Sequence, residues 1–158
     1  MIRTKSFGII NTINSDGSTH TTGVLYGVSP PNSKFALYIV TSKNYKKVRN
    51  IMRNPSVSFI IPFPHYFLRF VPSGTITLNG DVQILSIEND NILNIFQEKR
   101  ILRLITKNLE NYEKYELIFL KIIPKSRIIV YGVGHSIWKL RGSHAEGEYS
   151  VRIPEERL

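Results

Sequence analysis

Short runs of β-branched and aromatic residues, each closed by a cluster of turn-forming residues, fill the start of the chain. Residues 7–13 and 19–28 are two such runs, and the sequences NSDGS at 14–18 and SPPNS at 29–33 follow them. Gly, Pro, Asn, Asp and Ser favour turns, whereas β-branched and aromatic side chains pack well on a pleated sheet. The pattern predicts a hairpin over residues 7–28, followed by a third strand over residues 34–41 with Phe35, Leu37 and Ile39 on one face.

The hydrophobic period changes after residue 41. Val48, Ile51 and Met52 recur at helical spacing, which predicts a short helix over residues 46–53. Asn54 ends this helix because the residue before a proline avoids the α region, and Pro55 comes next. A fourth strand is predicted over residues 56–61.

The second half of the chain alternates between long apolar segments and breaks. Residues 62–72 are rich in aromatic residues and contain three prolines, which predicts a loop or a single helical turn. Residues 75–85 form a long strand in which Asn79-Gly80 is either a hairpin turn or a glycine bulge. Residues 88–107 show the clearest helical pattern, and residues 116–123 and 127–131 are two further strands separated by Pro124. Residues 132–158 show no clear period.

These elements predict a mainly β fold with minor α structure: six or seven antiparallel strands, mostly consecutive, with one short and one longer helix. Hairpin-linked strands of this kind close into a barrel or a sandwich. At 158 residues the chain is expected to form a single domain over residues 1–158. Its core is predicted over about residues 7–131, with a polar C-terminal tail over residues 132–158.

The composition excludes several classes of function. The sequence has no cysteine, which removes disulfides, thiolate metal sites and cysteine nucleophiles. It shows neither a signal-peptide pattern nor an apolar run near the ~20 residues of a membrane span, so a cytoplasmic protein without a membrane segment is expected. The four histidines lack ligand spacing, and no metal site is expected. The net charge of +9 fits either a solvated basic surface or an anionic partner.

The segment from Thr41 to Lys47 is the candidate site. A strand ends at Thr41, polar residues follow, and a helix begins with Lys46 and Lys47. The first turn of a helix offers free N–H groups and a partial positive charge, which suits an anion. Lysines oppose that charge, so their presence in this turn favours a bound phosphate. The alternative is that both lysine side chains simply point into water.

Other catalytic motifs are incomplete. Gly132-Val133-Gly134 follows a strand, but Ile137 stands where a dinucleotide-binding fingerprint needs a glycine. A nucleophile elbow of the Gly-x-Ser-x-Gly type is absent. No catalytic residue is therefore assigned from the sequence.

Three stretches, in this order, resemble the FMN-binding split-barrel superfamily of pyridoxamine 5′-phosphate oxidase-like proteins. Residues 16–26 are similar to its first hairpin, and residues 37–57 to its third strand, phosphate loop and following helix. Residues 75–82 are similar to its next long strand, where a glycine is common. The resemblance covers roughly residues 7–131. It implies a split β-barrel with FMN bound in a cleft between the two subunits of a homodimer.

The resemblance also implies a set of cofactor-binding residues: Thr22, Thr41, Ser42, Lys46, Lys47, Thr75 and Tyr131. Thr41 and Ser42 would bond the cofactor, and the two lysines match the basic pair that holds the FMN phosphate. Thr22 falls where oxidase members place a phosphate-binding arginine. Thr75 falls near a glutamine that contacts the flavin ring from the partner subunit, and Tyr131 near an aromatic residue of the closing strand.

The same resemblance leaves the reaction open. True oxidases end in an Arg-x-His segment that grips the vitamer, whereas here Arg141 and His144 are spaced differently, so oxidation of pyridoxamine phosphate is not expected. An FMN-dependent oxidoreductase with an unidentified small-molecule substrate is the favoured function, and a deazaflavin coenzyme, FAD or haem is the alternative cofactor. A flavin carrier without turnover is an alternative function. A basic nucleic-acid-binding module is another, disfavoured because the basic residues do not interleave with aromatic ones.

Overall fold

Eight strands and three α-helices are found in the computed structural model, which describes residues 1–64, 74–106, 116–133 and 148–158. The strands are β1 (Phe7–Ile13), β2 (Thr19–Leu25), β3 (Gly27–Val28), β4 (Leu37–Ser42), β5 (Ser56–Phe63), β6 (Gly74–Ser86), β7 (Leu117–Tyr131) and β8 (Glu148–Arg152). The helices are α1 (Lys46–Arg53), α2 (Asp90–Gln97) and α3 (Arg100–Thr106). The predicted loop over residues 62–72 lies outside the described residues beyond residue 64.

The strands form one antiparallel sheet that curls into a split barrel. Its order is β2-β1-β5-β6-β7-β4-β3, and β8 pairs with β7 outside this path. The two ends of the order, β2 and β3, are consecutive in the chain and are separated by Tyr26 alone, so the sheet returns on itself. Tyr26 is fully buried and packs edge-on against Phe59, with ring centroids 5.3 Å apart. The predicted mainly β split barrel is confirmed.

Strand β6 runs without a turn through Asn79 and Gly80, so the glycine bulge is confirmed and the hairpin is excluded. The register with β7 shifts between Leu78 and Gly80. A Cβ at Gly80 would lie 2.4 Å from the carbonyl oxygen of Ile123, which shows that the two backbones approach closely here. Only glycine fits such an approach without a backbone shift.

Strand β7 also continues through Pro124, so the prediction of two separate strands is wrong. Its pairing with β4 ends at Ile122, and its pairing with β8 begins at Arg127. Pro124 therefore lies where one edge of the strand has no partner, opposite the bulge at Gly80. A missing N–H group costs little at such a position, which explains why the proline does not end the strand.

The predicted helix over residues 88–107 is divided into α2 and α3, so the prediction is right about helical character and wrong about continuity. Asn89 caps α2 by accepting a hydrogen bond from the amide of Ile92 at 3.4 Å. The break at residues 98–99 allows Leu102 of α3 to join Ile95 and Phe96 of α2 in a second core. That core covers the outer face of β4 and β7, and a single straight helix would not place all of these side chains on one face.

The C-terminal region, which showed no clear period, contributes β8 along one edge of β7. All five residues of β8 are exposed, and the alternation of Tyr149 and Val151 with polar residues extends over only these five positions. Ile153 follows it and is buried in the barrel core, as is Val133 before it. Residues 134–147, between these two points, lie outside the described residues.

The main core fills the barrel and is closed at one end by α1. Inward-facing residues of the strands form it, and Val48 and Ile51 of α1 pack on it. Because α1 presents its apolar face to this end of the barrel, the start of the helix lies beside the end of β4. This arrangement positions the Thr41–Lys47 segment.

Candidate functional site

The first turn of α1 carries unsatisfied positive potential. The helix begins at Lys46 after Tyr45, which makes no side-chain capping bond, and its first turn contains no acidic residue. Within the described part of the chain, no group accepts a hydrogen bond from the backbone amide of Lys46 or Lys47. Free amides at a helix start, together with the helix dipole, attract an anion. The structure therefore supports an anion site where the sequence predicts one.

The two lysines of this turn differ in their surroundings. Lys46 is exposed, whereas Lys47 is only 9% exposed, with its Nζ lying 4.6 Å from the centroid of the Tyr45 ring. Burial lowers the pKa of Lys47, since desolvation disfavours the charged form. Among the described residues, no carboxylate forms an ion pair with Lys47. The Lys47 side chain is thus packed against protein with its ammonium partly desolvated, and the negative charge of a ligand would offset that cost.

Thr41, at the end of β4, has a buried hydroxyl without a partner. The residue is 5% exposed and faces the barrel interior on the same side as Ile39. Within residues 1–64, 74–106, 116–133 and 148–158, no group forms a hydrogen bond with its Oγ1. Ser42 is half-buried, and its hydroxyl accepts a bond from the Asn44 amide at 3.3 Å. An unsatisfied buried hydroxyl costs about 1–3 kcal/mol, so its presence beside the anion site fits a group completed by a ligand.

Thr22 lies at the same end of the barrel as Thr41. β3 pairs antiparallel with the start of β4 through Gly27↔Tyr38, so β2, which precedes β3 in the chain, leads toward the other end of β4. β2 and β4 are in contact there but share no ladder, so the barrel is split at this point. The side chain of Thr22 is half-buried on the inner face. The structure thus brings five predicted residues to one region: Thr22, Thr41, Ser42, Lys46 and Lys47.

Thr75 and Tyr131 lie elsewhere in the same protomer. They pair with each other across β6 and β7, and both are half-buried on the outer face. Thr41 pairs with Ile118, near the other end of β7. At the usual rise per residue, roughly 40 Å of extended strand separates Ile118 from Tyr131. One chain therefore does not bring these two residues to the Thr41–Lys47 segment, and a common ligand would require a second copy.

Asn50 is a buried polar residue of α1 that the sequence did not single out as functional. It is 2% exposed and donates to Thr12 Oγ1 at 3.1 Å and to Asn14 Oδ1 at 3.0 Å. Its Oδ1 accepts from Arg53 Nη2 at 2.7 Å. These bonds fasten α1 to the β1–β2 hairpin and so fix the position of Lys47. The sequence does contain a pattern that could have identified Asn50: a polar residue between Val48 and Ile51, on the apolar side of a short helix.

The remaining sequence candidates contribute nothing to this site. Residues 65–70 of the aromatic stretch and residues 138–144, which depart from the oxidase pattern, lie outside the described residues. His20 is half-buried on β2, and the other three histidines are not among the described residues. In the described ranges, no group of three metal-ligating side chains occurs. The same ranges contain no helix with the length and apolar character to cross a membrane.

Comparison with known proteins adds the fold but no close relative. No protein-family model matches the sequence, and no curated protein matches it either.

Solved structures do match. A heme binding protein from Mycobacterium smegmatis superposes with a TM-score of 0.63 and 17% identity, over 94% of this chain and 53% of its own. The chain thus spans about half the length of that protein. The heme storage protein HutZ from Vibrio cholerae has a TM-score of 0.58 and 12% identity, over 80% of this chain and 87% of its own. A candidate pyridoxamine 5′-phosphate oxidase from Listeria innocua has a TM-score of 0.53 and 18% identity, over 80% of this chain and 89% of its own. Likeness at this identity shows the fold alone, which is the pyridoxamine 5′-phosphate oxidase-like split barrel.

Proposed function

We propose that this split-barrel chain is a flavin-binding protein that holds the phosphate of FMN on the segment from Thr41 to Lys47. The observation that carries the proposal is the partly desolvated ammonium of Lys47, which has no carboxylate partner among the described residues. It lies in the first turn of α1, where no described residue accepts a hydrogen bond from the backbone amide of Lys46 or Lys47. A phosphate is dianionic near neutral pH and accepts several hydrogen bonds, so it satisfies both kinds of donor at once.

The residues of this end of the barrel fit such a group in distinct ways. Lys47 supplies a buried charge-assisted hydrogen bond, and Lys46 supplies an exposed charge at the rim. The hydroxyls of Thr41, Ser42 and Thr22 offer further bonds to phosphate or ribityl oxygens, and the unpartnered Oγ1 of Thr41 is the one most in need of a partner. The flavin, once bound, supplies the redox chemistry, while the protein supplies binding, orientation and electrostatics.

A homodimer is part of this proposal. Thr75 and Tyr131 are far from the phosphate segment of their own chain, and a second copy offers the route by which they reach the same flavin. The oxidoreductase activity is likewise proposed, with the substrate and the electron donor unassigned. Haem is the competing cofactor because two of the matching structures are of proteins described as heme-binding or heme-storing.

The absorbance spectrum of the purified protein tests the cofactor. Oxidised-flavin absorbance in the isolated protein, or after addition of FMN and removal of the excess, is expected. Replacing Lys46 and Lys47 together with Ala should abolish retention of FMN. The matched control replaces Lys34 and Lys125, two exposed lysines away from α1, and should retain it.

Two outcomes would overturn the flavin assignment. One is a folded protein that takes up no FMN. The other is a Soret band after incubation with haem, at an affinity that FMN does not match. If FMN is retained, addition of NADH or NADPH under anaerobic conditions separates an enzyme, whose flavin is bleached, from a carrier, whose flavin is not.

A further inference from the structure

A cavity lies at the end of the barrel away from α1, apart from the Thr41–Lys47 segment. Its volume is about 360 Å³, within the range of small-molecule sites. Apolar side chains from five parts of the fold contribute to its wall: Ile2, Phe35, Ile76, Ile128, Val130 and Val151. Val151 belongs to β8 and pairs with Ile128, so the strand that the sequence did not predict completes the wall. The cavity is therefore built by the fold as a whole rather than by one loop.

Arg3 is the charged residue on this wall. Its Nη1 donates to the carbonyl oxygen of Ser29, and the described residues provide no carboxylate in ion-pair contact with it. Burial lowers the pKa of Arg3, and the nearby positive charge of Arg157 acts in the same direction. Lys99 also lies within electrostatic range, and Glu98 is the acidic residue that opposes these charges. Arg3 on the cavity wall is therefore within the electrostatic influence of both positive and negative charges, but Arg157, Lys99 and Glu98 do not line the cavity.

We propose that this cavity binds an amphipathic carboxylate of the medium-chain fatty acid type, with the alkyl chain inside the barrel end and the carboxylate on Arg3. Contact with an apolar wall favours binding of an alkyl chain by about 25 cal/mol for each Å² of apolar surface removed from water. A guanidinium with spare donors binds a carboxylate through charge-assisted, often bidentate, hydrogen bonds. A small inorganic anion would leave the apolar wall unfilled, and a neutral alkane would leave Arg3 without an anionic partner.

This site is separate from the proposed flavin site. Ile76 and Val130 point into the barrel, whereas their neighbours Thr75 and Tyr131 point to the outer face of the same strands. The Thr41–Lys47 segment lies at the opposite end of the barrel, where α1 closes the core. Occupation of the cavity therefore neither requires nor excludes a flavin, and the proposal does not depend on the proposed function.

Calorimetric titration of the full chain with decanoate tests the proposal, with decanol as the neutral probe of the same chain length. Decanoate is expected to bind in one-to-one stoichiometry, more tightly than decanol. Arg3→Gln should weaken decanoate binding by roughly 10- to 100-fold, the value of one charge-assisted hydrogen bond, and should leave decanol unchanged. Arg127→Gln, at an exposed position on β7, is the matched control and should change neither. Val130→Trp should fill the cavity and abolish binding of both probes.

Folding is checked separately so that the result is decisive. Each variant is compared with the parent by circular dichroism and thermal unfolding, and Arg3→Lys keeps the charge if Arg3→Gln does not fold. Arg3→Lys should retain at least part of the preference for decanoate over decanol. Equal affinity of the parent for decanoate and decanol, or no binding of either, overturns the proposal. So does unchanged decanoate binding by Val130→Trp.

Discussion

Replacing Lys47 with Met should make the ligand-free protein more stable while destroying its anion site. Met has a similar length and packs against apolar surroundings without a charge to desolvate. Lys47 is 9% exposed and has no counter-ion among the described residues, so its ammonium lies in a poor environment until a phosphate arrives. Binding sites commonly retain such destabilising groups, and removing one typically gains about 0.5–2 kcal/mol.

The pH dependence of this gain has a definite sign. The pKa of Lys47 is lowered in the folded state, from the ordinary value of 10.5, by burial. Below the folded pKa both states carry the proton, so folding bears the full cost of burying the charge. As pH rises through the folded pKa toward 10.5, the folded protein loses that proton first and the cost disappears. The stability advantage of Lys47→Met should therefore be largest near neutral pH and shrink in strongly alkaline solution.

Urea unfolding of the ligand-free protein, followed by circular dichroism at neutral and alkaline pH, measures this difference. Lys46→Met is the matched control because Lys46 is exposed in the same helical turn, and its free energy of unfolding should stay within about 0.5 kcal/mol of the parent. Adding FMN should reverse the order by stabilising the parent, by about 2.7 kcal/mol at 100 times Kd, but not Lys47→Met. A loss of stability in ligand-free Lys47→Met at neutral pH would refute the reasoning that the charge of Lys47 destabilises the protein until a ligand binds.

Three further substitutions test the fold by urea unfolding. Gly80→Ala should cost roughly 1–3 kcal/mol because its Cβ would meet the Ile123 carbonyl oxygen at 2.4 Å, and an unchanged midpoint would contradict the bulge. Phe59→Ala should cost about 3–5 kcal/mol because the side chain is fully buried, whereas Phe7→Ala, at a residue 48% exposed, should cost much less; similar losses would misplace the core. Asn50→Ala should cost about 1–3 kcal/mol by removing the hydrogen bonds of a buried amide to Thr12 and Asn14, and a neutral effect would mean that α1 is not held by these bonds.

Local patterns in the sequence were sufficient to predict most elements of the N-terminal part of the chain. The first hairpin and the helix at 46–53 carry their own turn and periodicity patterns. The helix has its predicted bounds, whereas the predicted strand over residues 19–28 is divided at Tyr26, because residues 27–28 pair with β4. Such features depend on neighbouring residues, so a single sequence contains them. The Asn79-Gly80 pair illustrates the limit, because a turn and a bulge use the same residues and only the partner strand decides between them.

The errors arose where a partner strand or a surface decides the structure. Pro124 does not break β7, because it lies between the part of the strand that pairs with β4 and the part that pairs with β8. No N–H group is needed there for pairing along that edge. β8 has an alternating pattern over only five residues, and its pairing with β7 is what establishes it as a strand. In both cases the determining contact is distant in the chain.

The candidate site shows the same division. The segment from Thr41 to Lys47 could be identified from the sequence because a strand end, polar loop and basic helix start are local. The contrast between buried Lys47 and exposed Lys46 could not, since it depends on where α1 meets the barrel. The buried hydroxyl of Thr41 and the hydrogen bonds of Asn50 also could not be predicted from the sequence, because they depend on how the elements pack.

The affinity of the protein for FMN relative to riboflavin tests the phosphate site most directly, because the two flavins differ by that phosphate alone. Titration of either flavin, followed by quenching of its fluorescence, gives both dissociation constants under the same conditions. Two or more charge-assisted bonds to the phosphate predict FMN binding at least ~100-fold tighter than riboflavin. The advantage should fall to roughly tenfold or less in Lys47→Met. Equal affinities of the parent protein for FMN and riboflavin would contradict a phosphate site at Thr41–Lys47.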